Sequence, residues 1–571
     1  MKRKFSSYQE VDIIKHRTAM ALPVQLTPNE ERLKSLLLDV ASSINATETD
    51  PSDACPSPPR AQPVCLRWAG GWVRDKILGI ETHDIDVAIN CMTGEDFGRR
   101  LSKFCHIPSV IEKHSITKAD LGNLHTIKAN PEKSKNLATA TCRIFGADVD
   151  FVNLRKEVYS DHSRNPEIEF GTPLEDALRR DATVNALFYN LHTDQIEDFT
   201  SGIPDMKAQL IRTPLEPFQT FMDDPLRVLR LVRFASRLGF AIDDDVEKMM
   251  GDERVLKSFQ AKISRERVGI EIEKMLKGNR PHASLDLIDR LGLYHSIFTD
   301  PSSVHMPRPD ILSWRVAYHL LRDLQCDDAP GNSLYRRMIG SNSDAYLAWN
   351  LAAFTPWASV DGSQHPPKNK SKADPSQLII RVAREGIKAT NKLCTLLGAS
   401  YRNRSNILHL KELVCSEDES SHQRDLFAMA IREWEACGGY WKLQVLYCIL
   451  VEAMQELKTW PVSSDRGSKD FSLSMSVFSV NHDTGLCTFV STWEKFFDHL
   501  TVLDVTDAPS IKPLVDGHLL ARSLGVKPGK WMSNALDACL AWQFSHPEIT
   551  DIDKVIEAVK TRRNEIGIPE R

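Results

Sequence analysis

A chain of 571 residues is too long for a single hydrophobic core, so roughly two to four packed units are expected. Hydrophobic residues at 42% and charged residues at 26% fit an ordinary globular chain, and no run of about 18 or more apolar residues is present to span a membrane. The formal net charge of −5 argues mildly against a nucleic-acid binder, although a local basic stripe is enough to track phosphates. The 12 cysteines form no C-x-x-C pair and no zinc-spaced cluster, so they read as reduced thiols.

Residues 1–30 read as a flexible tail. Lys2, Arg3, Lys4, Lys15 and Arg17 make it basic, it lacks the apolar core of a secretory signal, and Glu10 and Asp12 count against a mitochondrial presequence. The sharper expectation is a weak organellar address with Met20 as a second start that omits it, giving mitochondrial, nuclear and cytoplasmic pools. Residues 31–63 are expected to form a helix and a linker: 28–46 carry apolar positions at helical spacing, and 51–63 are rich in Pro and Ser. Residues 64–203 mix short β-branched runs with helices, which predicts an α/β head with a small mixed sheet. From 204 onward the pattern is helical, giving an all-α neck (204–300) followed by a helical body and tail (301–571). Polar, breaker-rich segments at 355–377 and 461–470 read as loops.

Within the head, a strand over Val64–Ala69 meets the Gly70-Gly71 turn, which feeds a short helix stopped by Gly79. Such a turn presents backbone N–H groups to an anion, and Arg74 adds a charge-assisted bond to phosphate. In the next strand Asp84 and Asp86 share one face and Ile85 and Val87 the other. Two adjacent carboxylates repel unless a cation lies between them, and a hard oxygen-seeking ion, Mg²⁺, is the natural occupant. A third strand repeats the pattern with Asp148 and Asp150, one of which would supply a third carboxylate; spacing alone does not choose between them. Two-metal phosphoryl transfer needs such a cluster.

Thr172-Pro-Leu-Glu175 is a capping box with proline in the first turn. The helix it opens is expected to run through Arg179, Arg180, Asp181 and Asn185, with Asp181 and Asn185 on one face. A second helix is expected to begin with Asp223 as cap and Pro225 in its first turn, and to stop at Gly239. Along it Arg227, Arg230 and Arg233 form a basic stripe suited to triphosphate or RNA backbone. Asp224 and Arg227 lie three apart and can point together. A carboxylate accepts from the amino group of cytosine or adenine, and a guanidinium donates to their ring nitrogen. Uracil and guanine present the reverse polarity, so the pair selects C and A through the penalty of unpaired polar groups.

GG-x-V-R-D followed by D-x-D resembles the polymerase-β-like nucleotidyltransferase superfamily. The ordered set GGWVRD (70–75), DID (84–86), RRDATVNA (179–186), EDFTSGIPDM (197–206), DDPLRVLRLVRF (223–234) and ISRERVGIEIEKML (263–276) resembles the class II tRNA nucleotidyltransferases. Segments 130–141, 148–155 and 525–548 look like the fungal CCA-adding enzymes, whereas about 300–500 match only in helical character. The resemblance implies Asp84 and Asp86 as metal ligands, Asp150 as a supporting carboxylate, and Gly70, Gly71 and Arg74 around the triphosphate. It implies Arg180 and Asp181 at the incoming nucleotide, with Asp181 at the ribose, and Asp224 and Arg227 as the amino-acid template. Arg230 and Arg233 would continue the nucleotide contacts. The family usually has Glu-Asp where this chain has Asp223-Asp224; the shortened residue is not the base reader, so no loss of activity is expected. The implied partners are CTP, ATP and the acceptor stem and elbow of tRNA, gripped by shape and backbone, with the chain acting as a monomer.

Relatives that add only CC, only A, or poly(A) share these motifs. The segment between Asp86 and Asp150, with Gly122–Pro131 inside it, is the candidate loop for the switch from C to A. A non-catalytic RNA-binding protein would not need the carboxylate cluster, and a small-molecule nucleotidyltransferase would not need the long helical remainder.

Overall fold

The computed structural model describes residues 24–47, 62–127, 139–160, 163–303, 306–326, 331–360, 376–457 and 484–569. The N-terminal tail with Met20, most of the Pro-rich linker, the loop at 461–470 and most of 130–141 lie outside the described residues. The chain divides into two compact units, Met1–Ile263 and Ser264–Arg571. That boundary falls inside the segment expected as a single helical neck.

The first unit opens with α1 (Pro28–Thr47). Thr27 and Glu30 exchange hydrogen bonds at its start, a capping box. Leu33, Leu36, Leu37, Val40, Ala41 and Ile44 recur at helical spacing and are all buried. Burying each large aliphatic side chain is worth roughly 1.5–3 kcal/mol. The helix is therefore part of the head rather than a separate leader to it.

A seven-stranded sheet follows, ordered β3-β4-β5-β2-β1-β8-β9. Its strands are β1 (Leu66–Ala69), β2 (Asp84–Ile89), β3 (His125–Ile127), β4 (Thr139–Ile144), β5 (Ala147–Asn153), β8 (Leu187–Asn190) and β9 (Gln195–Asp198). Every pair is antiparallel except β2 with β5. The glycine-turn helix α2 (Gly71–Ile77) and then α3 (Gly94–Phe104) and α4 (Pro108–Lys113) fill the early crossovers. Trp68 and Trp72 meet edge-to-face at 4.5 Å in the core behind the turn. Trp72 Nε1 donates to Glu30 at 3.0 Å, which pins α1 to α2.

A separate hairpin, β6 (Arg155–Ser160) with β7 (Ser163–Phe170), leads to α5 (Pro173–Leu178). After β9 come α6 (Gly202–Lys207), β10 (Leu210–Ile211), α7 (Pro217–Asp223), α8 (Arg227–Leu238), β11 (Ala241–Ile242), α9 (Asp244–Met250) and α10 (Glu253–Lys262). Gly239 at φ 72° ends α8 as expected.

The second unit is helical throughout its described residues. Its longest helix is Asn391–Cys415, and a smaller apolar cluster at its end gathers Leu520, Leu524, Trp531, Cys539 and Val555. Several of its cations are bound internally: Arg424 to the carbonyls of Leu503 and Phe544, Arg432 to those of Ala508 and Ile511, and Lys411 to Glu452. The expected loop at 355–377 begins instead as a short 3-10 helix, Thr355–Ser359, and helix resumes at Ser376. No helix among the described residues is long and apolar enough to cross a membrane.

Gly94 starts α3 directly on β5: a Cβ there would lie 1.8 Å from the Phe151 carbonyl oxygen. Gly94→Ala forces helix and strand apart and is expected to destabilise the protein by about 1–3 kcal/mol or more. Thermal unfolding checks this; an unchanged midpoint would refute the close packing.

Candidate active site

The outward face of the β2–β5 pair carries four carboxylates. Alternation buries Ile85, Val87, Val149 and Phe151 and leaves Asp84, Asp86, Asp148 and Asp150 exposed. The parallel register sets Asp84 opposite Asp148 and Asp86 opposite Asp150. Strand β4 distinguishes the two β5 acids. Thr141 lies across from Asp150 and donates its hydroxyl at 2.6 Å, whereas Arg143 lies across from Asp148. The Asp86 carboxyl opens to solvent, yet the protein packed around its base desolvates it. That effect first, and then the charges of Asp150, Asp84 and Asp176, raise it above its ordinary value against the opposing charge of Arg180. Among the described residues no three carboxylate, histidine or cysteine ligands form a ready-made metal cage.

Beside this face the chain turns at Gly70, with φ 68° and ψ −122°, a conformation that suits glycine. A Cβ at Gly70 would meet Arg180 Nη1 at 2.6 Å, so the glycine also makes room for that guanidinium. Gly71 begins α2. Arg74 points inward and is only 3% exposed; its Nε donates to Asp75 at 2.8 Å and its Nη1 to Asn185. Burial pulls the Arg74 guanidinium below its ordinary value, with Asp75 opposing.

After α5 the chain does not continue as a helix. Arg179 and Arg180 fold back onto Asp176, with Nε distances of 3.0 and 3.1 Å. Arg180 also donates to the Asn185 carbonyl at 3.0 Å and stands 5.2 Å over the Phe188 ring. Glu157 of β6 lies 3.1 Å from Arg155, 3.4 Å from Arg179 and 4.0 Å from Arg227. Burial first, and then the neighbouring Arg179, pull Arg155 down to about 10, with Glu157 and Asp176 opposing.

On α8, Arg227 is buried and donates to the carbonyls of Arg179 at 2.7 Å and Thr220 at 3.4 Å. Arg230 Nε donates to Asp181 at 2.6 Å, and Asn185 Nδ2 donates to the same carboxylate at 3.1 Å. Burial alone would raise Asp181. The charge of Arg230, the two hydrogen bonds and the charge of Arg227 instead bring it down to about 2. The Phe234 ring is flanked by Arg233 at 4.3 Å, Arg230 at 5.5 Å and Arg74 at 5.8 Å.

Residues 66–212 match the family model for the poly(A) polymerase head domain, and residues 239–303 match the model described as a probable RNA- and SrmB-binding site of polymerase A. The chain is 50% identical over 574 residues to nucleotidyltransferase lcsQ of Purpureocillium lilacinum, covering 96% of this chain and 94% of the relative. It is 34% identical to the mitochondrial CCA tRNA nucleotidyltransferase of Saccharomyces cerevisiae, covering 92% of each. The chain belongs to the CCA tRNA nucleotidyltransferase family. A solved CCA-adding enzyme in complex with CTP shares its fold, with a TM-score of 0.58, 16% identity and coverage of 94% of this chain and 96% of the other.

Seen within this nucleotidyltransferase, three local expectations change. RRDATVNA is not helical beyond Leu178: Ala182 is extended, and the Thr183 N–H bonds the Arg212 carbonyl rather than continuing the helix. Asp181 and Asn185 still meet, through a 3-10 turn over Thr183–Asn185. Asp223 is the last residue of α7 rather than a cap; α8 begins after Leu226 with no side-chain cap, and Asp224, the C-terminal cap of α7, accepts from the Leu226 N–H at 3.2 Å. Arg74, expected to bond phosphate, and Arg227, expected on a basic stripe with Arg230 and Arg233, are both buried in protein contacts, Arg74 on Asp75 and Asn185 and Arg227 on the Arg179 and Thr220 carbonyls. Asp176 and Glu157 were not anticipated as site residues. The Asp176 spacing to Arg179 and Arg180, three and four residues, was a readable signal; nothing in the β6 sequence marks Glu157.

The Asp181–Arg230 pair stabilises the fold above the ordinary aspartate pKa of 3.8 and is lost as pH falls toward about 2. Arg230→Gln removes the main opposing charge, so the Asp181 pKa rises and acid destabilisation begins at higher pH. At neutral pH the variant should lose about 1–3 kcal/mol, less than for a fully buried pair because Arg230 is partly exposed. Melting temperatures between about pH 3 and 7 read both effects; superimposable profiles would refute the pairing.

Proposed function

We propose that the chain completes the 3′ end of tRNA by adding C, C and A from CTP and ATP without a nucleic-acid template. The observation that carries the reading is the in-register carboxylate face of β2 and β5 beside an arginine-lined helix. Pure RNA binding gives no reason to hold four like charges together on one strand pair.

Asp84 and Asp86, with Asp150 in support, would hold magnesium. The donor set fits: Mg²⁺ takes one or two carboxylates and completes its shell with substrate phosphates and water. Burial first, and then the neighbouring carboxylate charges, raise Asp86, and a cation would relieve both. Asp150 is favoured over Asp148 because its charge bears on Asp86, while Asp148 faces Arg143. When bound, the metal would supply activation of the 3′-hydroxyl and neutralisation of the triphosphate.

The chain's own residues do the rest. Gly70 admits Arg180 to the edge of the carboxylate face, where it meets nucleotide phosphate, and Gly71 leaves space at the start of α2. Asp181 accepts from the ribose hydroxyl. Asp224 and Arg227 present the acceptor and donor that match C and A and oppose U and G. Arg230 and Arg233 extend positive charge along the nucleotide. Arg74 acts from behind, holding Asn185 and Asp75 rather than gripping phosphate. The mitochondrial relative from S. cerevisiae supports a mitochondrial destination, and a start at Met20 would leave a pool in the nucleus and cytoplasm.

The deciding assay is incorporation on a tRNA transcript ending at its discriminator base, with Mg²⁺. CTP alone should give two additions, and CTP with ATP three. An enzyme that stops at CC, or adds only A to a CC end, would be a single-activity member. Asp84→Ala or Asp86→Ala should lower addition of both nucleotides by roughly a thousandfold or more while tRNA binding by gel shift persists; near-normal turnover in either would refute the assignment. Arg227→Ala should admit UTP or GTP, or slow CTP and ATP alike, and unchanged selectivity and rate would remove the template claim.

A further inference from the structure

Asn185 joins two parts of the site that the sequence treats as separate motifs. Its Oδ1 accepts from Arg74 on α2, its Nδ2 donates to Asp181 at 3.1 Å, and its carbonyl accepts from Arg180 at 3.0 Å. Asp181 in turn takes Arg230 of α8, and Arg74 takes Asp75. We propose that Asn185 is a positioning residue for nucleotide binding, holding the arginine helix α8 in fixed register with the glycine turn through the relay Asp75–Arg74–Asn185–Asp181–Arg230. The inference rests on the nucleotidyltransferase reading and adds to it.

The chemistry explains the residue type. The relay must meet a guanidinium on one side and a carboxylate on the other. An aspartate at 185 would set a second carboxylate against Asp181, and a lysine would set a second cation against Arg74. A planar amide offers an acceptor at one end and a donor at the other without a charge of its own. Its orientation is forced, because only the oxygen suits Arg74 and only the nitrogen suits Asp181. The backbone below it is also fixed: the Thr183 N–H donates to the Arg212 carbonyl at 2.9 Å and its hydroxyl to Asp205 at 2.7 Å. With Asn185 7% exposed, water does not readily replace a lost partner. The far end of α8 is tied to the same helix by Arg237 and Asp75 at 3.3 Å. Without Asn185, α8 would keep the Arg237–Asp75 pair and the Arg74–Phe234 contact with α2 but lose the hydrogen-bonded link near Arg230.

The test uses the full-length enzyme carrying Asn185→Ala or Asn185→Asp. Addition of C to a tRNA ending at the discriminator base and of A to a tRNA ending in CC is measured with kcat and KM separated. Equilibrium binding of CTP and ATP and the melting temperature are recorded alongside. Both variants should raise KM and weaken binding for CTP and ATP roughly tenfold or more, Asn185→Asp more than Asn185→Ala, with a smaller change in kcat. If Asn185→Asp does not fold, Asn185→Ala decides. Unchanged nucleotide binding in a folded Asn185→Ala, or a loss confined to melting temperature and active fraction, would overturn the relay. A wild-type enzyme that fails to add C or A would overturn the functional reading instead, and CTP and ATP binding by the variants would still judge Asn185.

Discussion

Parallel pairing of β2 with β5 puts Asp84 beside Asp148 and Asp86 beside Asp150, and the rest of the site is arranged around that repulsion. Neighbouring strands lie about 4.8 Å apart, so the charges cannot separate without breaking the ladder. At that spacing two carboxylates repel by about 1 kcal/mol in water and by several in a drier setting. The opposite face supplies the restraint: Ile85, Val87, Val149 and Phe151 are buried in the same register. The apolar side of each strand thus holds in place what the polar side pushes apart. A divalent cation with phosphate, as proposed for this site, would offset that repulsion.

The positive half of the site is built differently. Arg74, Arg155, Arg179, Arg180 and Arg227 are largely withdrawn from water and would be costly to bury alone. Asp75, Asp176 and Glu157 pair with Arg74, Arg155, Arg179 and Arg180, and backbone carbonyls accept from Arg180 (Asn185) and from Arg227 (Arg179 and Thr220). Truncating one member would strand its partners, so these residues behave as a unit. Burial first, and then the charge of Arg179, bring Arg155 down to about 10 despite Glu157 and Asp176.

Much of this was legible because the local rules were strong. Alternation over Asp84–Val87 and Ala147–Phe151 predicts two strands with one acidic face, and the structure adds only their register. The Gly70 turn, the Thr172–Glu175 capping box and the stop at Gly239 each follow from a residue whose conformation has few alternatives. The failures occur where tertiary contacts outweigh local preference. Periodicity extends a helix through RRDATVNA, but Asp176 draws both arginines back and Arg212 captures the Thr183 N–H. Spacing on α8 shows three arginines on one side and cannot show that carbonyls of distant segments absorb Arg227. Cations of the second unit look available for RNA in the sequence, yet Arg424, Arg432 and Lys411 hold that unit together. Charge counting therefore overstates the surface left to meet a phosphate backbone.

Choosing a base without a template strand puts an unusual demand on rigidity. A nucleic-acid template gains its selectivity from stacked, paired geometry, whereas Asp224 and Arg227 would discriminate only if their donors and acceptors cannot rotate to suit the wrong base. Arg227 meets that demand by being clamped on the carbonyls of Arg179 and Thr220 with Glu157 alongside. Its clamp includes the residue immediately before Arg180, whose guanidinium lies against Gly70 and bears on Asp86. A displacement of Arg227, the proposed base reader, would therefore be transmitted through one peptide unit to the group beside the β2–β5 carboxylates. Under the proposed assignment the same turn would fix both which base fits and where its phosphates lie, so selectivity and turnover would share one set of hydrogen bonds.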